Sequence, residues 1–368
     1  MTGGAGFLGL HLVRERLVRG RHVTVLAHAG GAPGRERIER FLAATGEIGR
    51  LPAPLGELLT VVPVDIGQPL LGLPRLEHRR LARIADEVWH VAAAVELHGR
   101  DDHVWRTNVL GTQNVLRLAS LAPRETPFRH ISTAFVAGTR QGHISEDDVP
   151  VNGNGSGDGF ENTYERSKHE AENLVRDWAG RLGRRALIFR PGVLVPPGPR
   201  SVPELPSHTL STFYRGASRL PGKAGRTVLR LGGDPRARLN LLPVDWAADA
   251  MACIASGDGA SGEGAAGVST VHVVHPADAP IRTIAAALED VCPVRIRITP
   301  AMPGEPTAAE RVFYRRIAGF LPYLHHRRHF DDSTLKKRTP GLAPPPPIDR
   351  TYLRFCFGVH APVAKTSA

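Results

Sequence analysis

Short apolar runs alternate with amphipathic segments over the first 195 residues or so of the chain. Runs rich in β-branched residues predict strands at 22–28, 58–66, 85–95, 128–138 and 185–195. Apolar residues at helical spacing predict helices after residue 9, over 104–120 and from Tyr164. This alternation is the pattern of a parallel α/β sheet with helices on its faces.

The alternation ends near residue 196, and the rest of the chain is less regular. Residues 196–238 are rich in Pro, Gly and Arg. A strand, a turn and a helix are predicted over 238–255, and a further strand over 269–276. The last ninety residues are expected to be mainly helical and irregular.

These patterns predict the fold class and its division into parts. We expect a Rossmann-type doubly wound parallel sheet formed by residues 1–195, with 238–276 returning to it. A smaller, discontinuous C-terminal substrate domain is expected from residues 196–237 and 277–368. The length of 368 residues suffices for one large or two modest domains.

The net charge of +11 admits two interpretations. One is attraction to acidic partners such as phosphates, coenzyme A or an acidic carrier protein. The other is compositional bias, because only five of the 47 basic residues are lysines and Arg, Ala, Gly and Pro are all abundant. The arginines are scattered rather than arranged in a stripe with aromatic residues, so nucleic acid is not an expected partner.

The three cysteines, Cys253, Cys292 and Cys356, lie far apart in the chain. They predict neither a disulfide framework nor a zinc site, and they suit a reducing cytoplasm. No run approaches the roughly 18 consecutive apolar residues that a membrane helix needs. Charged residues at 14–16 interrupt the apolar start too early for a signal peptide. We expect a cytoplasmic protein without a membrane span.

A glycine-rich turn opens the chain. The stretch TGGAGFLG places Gly3, Gly6 and Gly9 at three-residue spacing, directly before an amphipathic helix. Glycine is needed where the backbone turns with positive φ and where a pyrophosphate approaches without a Cβ in the way. Amides at the start of the helix then face the phosphates. The spacing indicates a dinucleotide-binding turn, although a turn without ligand in a Gly-rich protein is the alternative.

The strand that normally precedes such a turn is absent, because the turn begins at residue 2. In the strand order 3-2-1-4-5-6 that strand is central. We therefore expect an unfilled slot between its neighbours, with unpaired backbone groups. The corresponding hypothesis is a missing upstream segment of about 6–10 residues.

The end of the strand at 22–28 bears on the choice of cofactor. Enzymes that use NAD carry an acidic residue there, which binds the ribose 2′-hydroxyl. The stretch VLAHAGGAPG contains no acid, and His28, Arg35 and Arg37 offer positive charge to the 2′-phosphate of NADP. NADP is therefore expected, while NAD stays open and a solvated basic loop is the alternative. Asp65, after the strand at 58–66, suits the adenine edge, but an aspartate there is also a common turn former.

Tyr164 and Lys168 lie four residues apart in TYERSKHEAENLVRDW, one helical turn apart on one face. A lysine ammonium beside a phenol lowers the pKa of the tyrosine, as an acid/base group needs. The pair follows a strand that carries Ser132 and Thr133, whose hydroxyls can bind a substrate carbonyl oxygen. An ordinary helix is the alternative, and Thr133 also fits as a β-branched strand residue. With only five tyrosines and five lysines in the chain, the coincidence favours function.

Six motifs occur in order, namely TGGAGFLG, HVAAAV, NVLGT, STAFVAG, YERSK and RPG. With this set the chain resembles the extended short-chain dehydrogenase/reductases, over residues 2 to about 275. Within that superfamily it is most similar to the thioester reductase and fatty acyl-CoA reductase (male sterility) branch, through VDIGQPLLGLP, HISTAFVAG and LLPVDWAADAM. The resemblance implies an NAD(P)-dependent oxidoreductase that reduces an acyl thioester, or a lipid-like or polyketide-like carbonyl, by hydride transfer.

The resemblance also implies roles for individual residues. Tyr164 donates or accepts the proton, Lys168 lowers its pKa and binds the nicotinamide ribose, and Thr133 orients the substrate carbonyl. Asn108 matches a helix asparagine of the family and is expected to be structural. The implied cofactor contacts are the pyrophosphate turn at Gly3, Gly6, Phe7, Leu8 and Gly9, the adenine neighbours Asp65 and Ile66, and the further residues Ala92, Ala93, Pro191 and Gly192.

Two other functions stay open. A nucleotide-sugar epimerase or dehydratase shares the fold and usually holds NAD tightly, and the missing acid after the strand at 22–28 speaks mildly against it. A noncatalytic NADP-binding sensor is the other, and it would have no use for Thr133, Tyr164 and Lys168.

The segment YLHHRRHF (323–330) suggests a metal site through His325, His326 and His329. No carboxylate or cysteine spacing supports a metal ligand set, so a basic surface segment is expected. The expected partner is a small-molecule substrate, with a coenzyme A or carrier-protein thioester open. A homodimer is also open.

Overall fold

The structure is a computed structural model. It describes residues 1–28, 34–99, 101–147, 159–198, 206, 208–220, 226–257 and 267–358. The helices are α1 (Phe7–Val18), α2 (Gly34–Ala44), α3 (Leu55–Leu58), α4 (Arg75–Arg83), α5 (Asp101–Trp105), α6 (Gly111–Ser120), α7 (Thr163–Leu182), α8 (Thr209–Ala217), α9 (Val244–Gly257), α10 (Ile281–Val291), α11 (Ala308–Ile317), α12 (Ser333–Arg338) and α13 (Arg350–Gly358). The strands are β1 (Val23–His28), β2 (Leu59–Val64), β3 (Val88–His90), β4 (Phe128–Ile131), β5 (Gly142–Ile144), β6 (Arg185–Pro191), β7 (Val193–Val195), β8 (Thr227–Gly232), β9 (Arg238–Leu239), β10 (Leu241–Pro243), β11 (Gly267–Val273), β12 (Ala279–Pro280), β13 (Val294–Thr299) and β14 (Arg328–Phe330).

Parallel strands form the central sheet. Strands β11, β6, β4 and β3 lie side by side in that order, and β1 pairs with β2. Met1 and Thr2 join the two groups, because the Leu26 N–H donates to the Met1 carbonyl at 2.8 Å and the Thr2 N–H donates to the Trp89 carbonyl at 2.9 Å. Thr2 thereby pairs with Leu26 on one side and His90 on the other. The slot expected between these strands is thus bridged at the end that carries the glycine turn.

Helices cover both faces of this sheet, which explains why its strands read as apolar runs rather than alternating patterns. On one face, Leu8 of α1 and Met251 of α9 pack with Phe189 of β6. On the other, Trp178 of α7 packs with Phe128 of β4, with their rings 5.3 Å apart. Residues of β6 alternate between the two clusters, as the two-residue repeat of a strand requires.

Two predicted strands are shorter than expected. The strand expected over 85–95 ends at His90, and the one expected over 128–138 ends at Ile131. After β4 the chain turns at Thr133, whose hydroxyl accepts a hydrogen bond from the Phe135 N–H and starts a 3-10 turn. The helix expected over 104–120 is confirmed as α5 and α6, joined by a π-helical turn at 106–110.

The C-terminal third contains more strand than its pattern predicted. Strand β13 pairs in parallel with β8, and β14 pairs in parallel with β5. These strands lie against a second core to which α8, α10, α11 and α13 contribute. Strand β11 pairs with β6 over its whole length, so it belongs to the central sheet. The division of the chain into two domains stays a prediction.

The segment at 323–330 is only in part the basic surface segment that its composition suggested. Alternate side chains point inward: Tyr323, His326, Arg328 and Phe330 are buried, whereas His325, Arg327 and His329 are exposed. Separately, none of the helices in the described ranges has the length and apolar composition needed to cross a bilayer.

Candidate active site

A cleft of about 1190 Å³ opens at the carboxyl ends of the parallel strands. Ligands of open α/β sheets bind at this edge. Its lining includes these residues singled out from the sequence: Gly3, Gly6, Phe7, Leu8, Gly9, His28, Asp65, Ile66, Ala92, Ala93, Thr133, Tyr164, Lys168, Pro191 and Gly192. Arg35 lies outside it. The structure thus gathers residues from seven separate stretches of sequence around one space.

The glycine turn fits the close approach of a pyrophosphate. Gly3 has a φ of +68°, and a Cβ there would stand 2.5 Å from the Ala92 nitrogen. A Cβ on Gly9 would stand 2.0 Å from the Gly3 carbonyl oxygen. Helix α1 starts directly after Gly6, where no side-chain hydrogen bond caps it. Its first N–H groups therefore face the cleft, as a dinucleotide phosphate requires.

Helix α7 begins just before Tyr164 because Asn162 caps it, with its Oδ1 accepting from the Glu165 N–H at 3.0 Å. This cap fixes Tyr164 in the first turn, where its phenol lies beside the Thr133 hydroxyl in the lining of the cleft. The Lys168 ammonium lies one turn further along and donates to the Ile131 carbonyl at 2.5 Å. Two hydroxyls and one ammonium therefore converge where β4 ends.

The electrostatics of this group differ from expectation in one respect. Burial raises the pKa of Tyr164 well above its ordinary value, the Glu165 carboxylate raises it further, and the hydrogen bond from Thr133 opposes both effects. The lowering of this pKa by Lys168, expected from their spacing, is not found. Burial lowers the pKa of Lys168 itself to about 8, and the Glu172 carboxylate opposes that shift.

A buried ion pair lies one helical turn beyond Lys168. Glu172, one turn further along α7, accepts from Arg190 Nε at 2.9 Å and from its Nη2 at 2.8 Å. Both side chains are almost fully inaccessible to solvent. Ser132, whose hydroxyl we expected to bind substrate, lines the cleft beside the Glu172 carboxylate. No local motif predicts this pair, because its members lie on different elements.

Buried polar side chains also brace the turn against α7. His90 hydrogen-bonds the Thr2 hydroxyl at 2.8 Å through Nδ1 and the Thr112 hydroxyl at 2.9 Å through Nε2. Asn108, which lies in the π-helical turn, donates to the Ala94 carbonyl at 3.0 Å and to the Ser167 hydroxyl at 2.9 Å. Asn108 therefore holds the cleft wall and α7 together, in line with the structural role expected for it.

The cofactor end of the cleft carries positive charge. His28 and Arg37 line it, whereas Arg35 turns away to pair with Glu39 at 2.9 Å. Asp65 also lines it, and its carboxylate is held by Arg106 at 2.9 Å and by the Gly67 N–H. Of the two arginines considered from the sequence, Arg37 lines the cleft and Arg35 does not.

The opposite end of the cleft was not predicted from the sequence. Helix α8 contributes Thr209, Thr212 and Arg215 to its lining, and α11 contributes Arg315 and Arg316. Phe320 and Tyr323 supply apolar surface beside them. No local motif marks these residues, because they reach the cleft only through the packing of α8 against α11.

The described residues contain no group of three or more His, Cys, Asp or Glu side chains that could hold a metal ion. In the 323–330 segment, His326 pairs with Glu161 at 2.6 Å and His329 pairs with Asp278 at 3.3 Å. These histidines therefore face different carboxylates rather than a common point.

The cleft combines a dinucleotide turn with the Tyr164–Thr133 pair, and a family model described as "Male sterility protein" matches residues 1–251. The chain belongs to the male sterility protein family. The resemblance found in the sequence is thereby confirmed. As a member of this family the chain is an NAD(P)-dependent oxidoreductase of the extended short-chain dehydrogenase/reductase type.

Relatives of this male sterility family member include much longer proteins. The isonitrile lipopeptide synthase of Mycobacterium tuberculosis is 28% identical over 304 residues, and the carboxylic acid reductase of Mycobacterium marinum is 27% identical over 293 residues. Each match covers 76% of this chain but only 11% and 24%, respectively, of the relative. The chain thus spans a small part of the length of these relatives.

Solved structures confirm the fold class. The terminal R domain from the myxalamid PKS-NRPS biosynthetic pathway superimposes with a TM-score of 0.75 and 25% identity, covering 97% of this chain and 88% of that domain. A UDP-galactose 4-epimerase superimposes with a TM-score of 0.63 at 19% identity, over 97% of this chain and 96% of its own. At that identity the epimerase shows a common fold and nothing about activity.

Proposed function

We propose that this chain reduces an acyl thioester carried on a phosphopantetheine arm to the aldehyde, with NADPH as the reductant. The observation that carries the proposal is the continuous cleft, which runs from the glycine turn past Tyr164 to the arginines of α8 and α11. Relatives that include a carboxylic acid reductase and an R domain of a PKS-NRPS pathway support this substrate class.

The residues at the end of β4 have the chemistry for carbonyl reduction. A nicotinamide bound in the cleft supplies a hydride to the carbonyl carbon. The Thr133 and Tyr164 hydroxyls bind the carbonyl oxygen, and Tyr164 gives it a proton. The resulting hemithioacetal loses the thiol and leaves the aldehyde, so one hydride and one proton are consumed for each aldehyde formed.

The preference for NADPH rests on charge at the end of β1. Arg37 and His28 line the cleft there, and the end of β1 has no carboxylate to accept a ribose 2′-hydroxyl. A guanidinium suits the 2′-phosphate of NADP because it binds phosphate with two hydrogen bonds. Arg37 is held in place by a hydrogen bond to the Ala5 carbonyl at 3.3 Å.

The proposal of a phosphopantetheine arm depends on the arginines at the opposite end of the cleft. Arg215, Arg315 and Arg316 bring three positive charges to the cleft wall, where a phosphodiester at the far end of the arm would lie. Phe320 and Tyr323 supply apolar surface for the acyl group. Coenzyme A and a carrier protein share this phosphate chemistry.

The test compares thioesters that have the phosphate with thioesters that lack it. We expect NADPH oxidation with an acyl-CoA and, at higher KM, with the same acyl group on N-acetylcysteamine. Arg316→Ser should raise KM for the acyl-CoA about tenfold, the loss expected for one charge-assisted hydrogen bond, and leave the N-acetylcysteamine ester unaffected. Arg311→Ser, on the same helix but outside the cleft, is the matched control. Equal KM values for both esters in every variant contradict the phosphate site, and no aldehyde from either ester contradicts the function.

A parallel titration tests the cofactor preference. NADPH should bind more tightly than NADH by nicotinamide fluorescence, and Arg37→Ser should reduce that ratio about tenfold. Arg35→Ser is the matched control, because Arg35 pairs with Glu39 away from the cleft. An unchanged ratio in Arg37→Ser would assign the selectivity elsewhere.

A further inference from the structure

The residue that follows the proposed proton donor carries a buried carboxyl group. Glu165 follows Tyr164 in α7, and its side chain is fully inaccessible to solvent. Its Oε1 accepts a hydrogen bond from the Tyr323 hydroxyl at 2.5 Å, and its Oε2 accepts one from the Glu161 N–H at 2.9 Å. Burying a carboxylate costs free energy unless hydrogen-bond donors pair with it, and these two donors do so. The reaction chemistry described above assigns no role to this carboxyl group.

Tyr323 connects this carboxyl group to the cleft. Its ring lines the cleft wall, and its hydroxyl accepts from Asn162 Nδ2 at 2.9 Å while donating to Glu165. Asn162 in turn caps α7 by accepting from the Glu165 N–H at 3.0 Å. The three residues form a closed ring of hydrogen bonds, which the Glu165 N–H completes, at the turn that carries Tyr164.

Charged groups also lie near the ring of hydrogen bonds formed by Asn162, Glu165 and Tyr323. Arg328 of β14 is buried, lies 4.7 Å from the Phe135 ring and donates to the Gly138 carbonyl. Its positive charge acts on Glu165, as does the negative charge of Glu161, which is paired with His326. The titratable groups that face Glu165 are therefore Tyr164, Tyr323, Glu161 and Arg328.

We propose that Glu165 is a positioning residue that sets the acidity of Tyr164: when ionised, its carboxylate opposes the departure of the Tyr164 proton, and when neutral, it does not. The proposal rests on the proposed function, in which Tyr164 protonates the carbonyl oxygen. Tyr323 holds Glu165 in place and decides how readily it ionises. The chain thereby places a titratable group next to the proton donor without exposing it to substrate.

The ionisation of Glu165 falls in the neutral pH range. Burial raises the pKa of Glu165 to about 7, whereas the hydrogen bond from Tyr323 and the charge of Arg328 lower it. The charge of Glu165 raises the pKa of Tyr164. Below pH 7 Glu165 is neutral and Tyr164 is the stronger acid. As the pH rises through 7, Glu165 becomes charged and Tyr164 becomes the weaker acid.

The expected consequence is a pH step in the reduction. The single-turnover rate should fall about three- to tenfold as the pH rises through 7, because general acid catalysis weakens with the strength of the acid. Glu165→Gln should abolish this step and hold the rate near its acidic plateau. Tyr323→Phe removes a donor that favours the ionised form, so it should move the step to higher pH.

Tyrosine resonances test the coupling without turnover. The chain has five tyrosines, so protein labelled with 13C at Cζ of tyrosine gives five signals that Phe variants assign. We expect the Tyr164 and Tyr323 signals to shift together with a midpoint near pH 7, and the signals of Tyr214 and Tyr352 not to follow. Glu165→Gln should remove the shared midpoint. Glu310→Gln, a buried carboxylate paired with Arg230 in the C-terminal part, should leave it in place.

The outcomes separate this inference from the proposed function. If the resonances share the midpoint but no thioester is reduced, the coupling stands and the proposed function fails. If the thioester is reduced and Tyr164 shows no midpoint near pH 7, or keeps it in Glu165→Gln, the role of Glu165 is refuted. If Tyr323→Phe leaves the midpoint unmoved, Tyr323 does not govern the ionisation of Glu165.

Discussion

The Lys168 ammonium donates a hydrogen bond to the Ile131 carbonyl at 2.5 Å. This contact joins α7 to the last residue of β4, two residues before Thr133, so it ties the helix that carries Tyr164 to the strand end that carries its partner hydroxyl. The ammonium is buried as well as bonded. The stability of the fold should therefore depend on the charge of a residue from the proposed catalytic group.

The first prediction concerns the pH dependence of that stability. Burial lowers the pKa of Lys168 to about 8 in the folded protein from an ordinary value of 10.5. Between these values the unfolded chain holds a proton that the folded chain has lost, so the free energy of unfolding rises with pH over this window, by about 3 kcal/mol in total. Denaturant unfolding at pH 8 and pH 10 should show most of this rise, and Lys168→Met should lack it.

The control for this prediction is a solvent-exposed lysine of the same chain. Lys336 of α12 is largely exposed and pairs with Asp332 at 2.8 Å. Lys336→Met should change the free energy of unfolding by less than about 1 kcal/mol and keep the pH dependence of the parent chain. A rise of the same size in Lys168→Met would show that another group titrates in this window.

The second prediction concerns the glycine turn. A methyl group at residue 9 would stand 2.0 Å from the Gly3 carbonyl oxygen, so Gly9→Ala must displace the turn. We expect it to lower NADPH affinity by at least about tenfold in a fluorescence titration, because the backbone can no longer approach the phosphates. Gly56→Ala is the matched control, since nothing lies within 4 Å of a Cβ there. Wild-type affinity in Gly9→Ala would show that the turn does not hold the dinucleotide.

The third prediction concerns the buried pair behind Lys168. Glu172→Gln leaves the Arg190 guanidinium buried without its carboxylate, which should cost about 3–5 kcal/mol in denaturant unfolding. Replacing both members with apolar residues, as in Glu172→Leu with Arg190→Met, should recover most of that loss. Glu39→Gln breaks the exposed pair with Arg35 and should cost about 1 kcal/mol or less. Equal losses for the buried and exposed pairs would contradict this account.

The residues that were predictable from the sequence are those whose role depends on local geometry. A turn is predicted by the spacing of Gly3, Gly6 and Gly9. A shared helix face is predicted by the four-residue spacing of Tyr164 and Lys168. Thr133 joins them because β4 ends at Ile131, seven residues earlier than the strand expected over 128–138. The glycine turn and the shared helix face were therefore predictable before any contact was known, and the proton-transfer role of Tyr164 stays a prediction.

Features that were not predictable from the sequence depend on helix phase or on partners distant in the chain. Arg35 and Arg37 are two residues apart in α2, which turns them about 200° from each other, and the sequence does not show which one faces the cleft. His90 ends its strand early because the Thr2 hydroxyl accepts from the Val91 and Ala92 N–H groups, which would otherwise continue the ladder.

The segment at 323–330 shows a different limit. Its histidines and arginines predict an exposed segment, yet Tyr323 and Arg328 are buried. Tyr323 donates a hydrogen bond to Glu165, some 160 positions earlier in the chain. Arg328 donates one to the Gly138 carbonyl, some 190 positions earlier. Composition shows the charge of a side chain but does not show which hydrogen-bond acceptor it contacts in the folded protein. Burial of such a segment therefore depends on contacts between distant parts of the chain.

The last prediction separates the proton donor from the rest of the site. Tyr164→Phe keeps the ring and removes the hydroxyl that faces Thr133, so NADPH binding should be unchanged while kcat for thioester reduction falls about 10²- to 10⁴-fold. Tyr352→Phe is the matched control, because its buried hydroxyl donates to the Pro196 carbonyl at 2.7 Å, outside the cleft lining. Thr133→Val should lose less than Tyr164→Phe, since it removes a carbonyl contact but leaves the proton donor. If Tyr164→Phe turned over at the parent rate, the proton would have to come from another group. Glu165 could then not affect the reaction through the acidity of Tyr164.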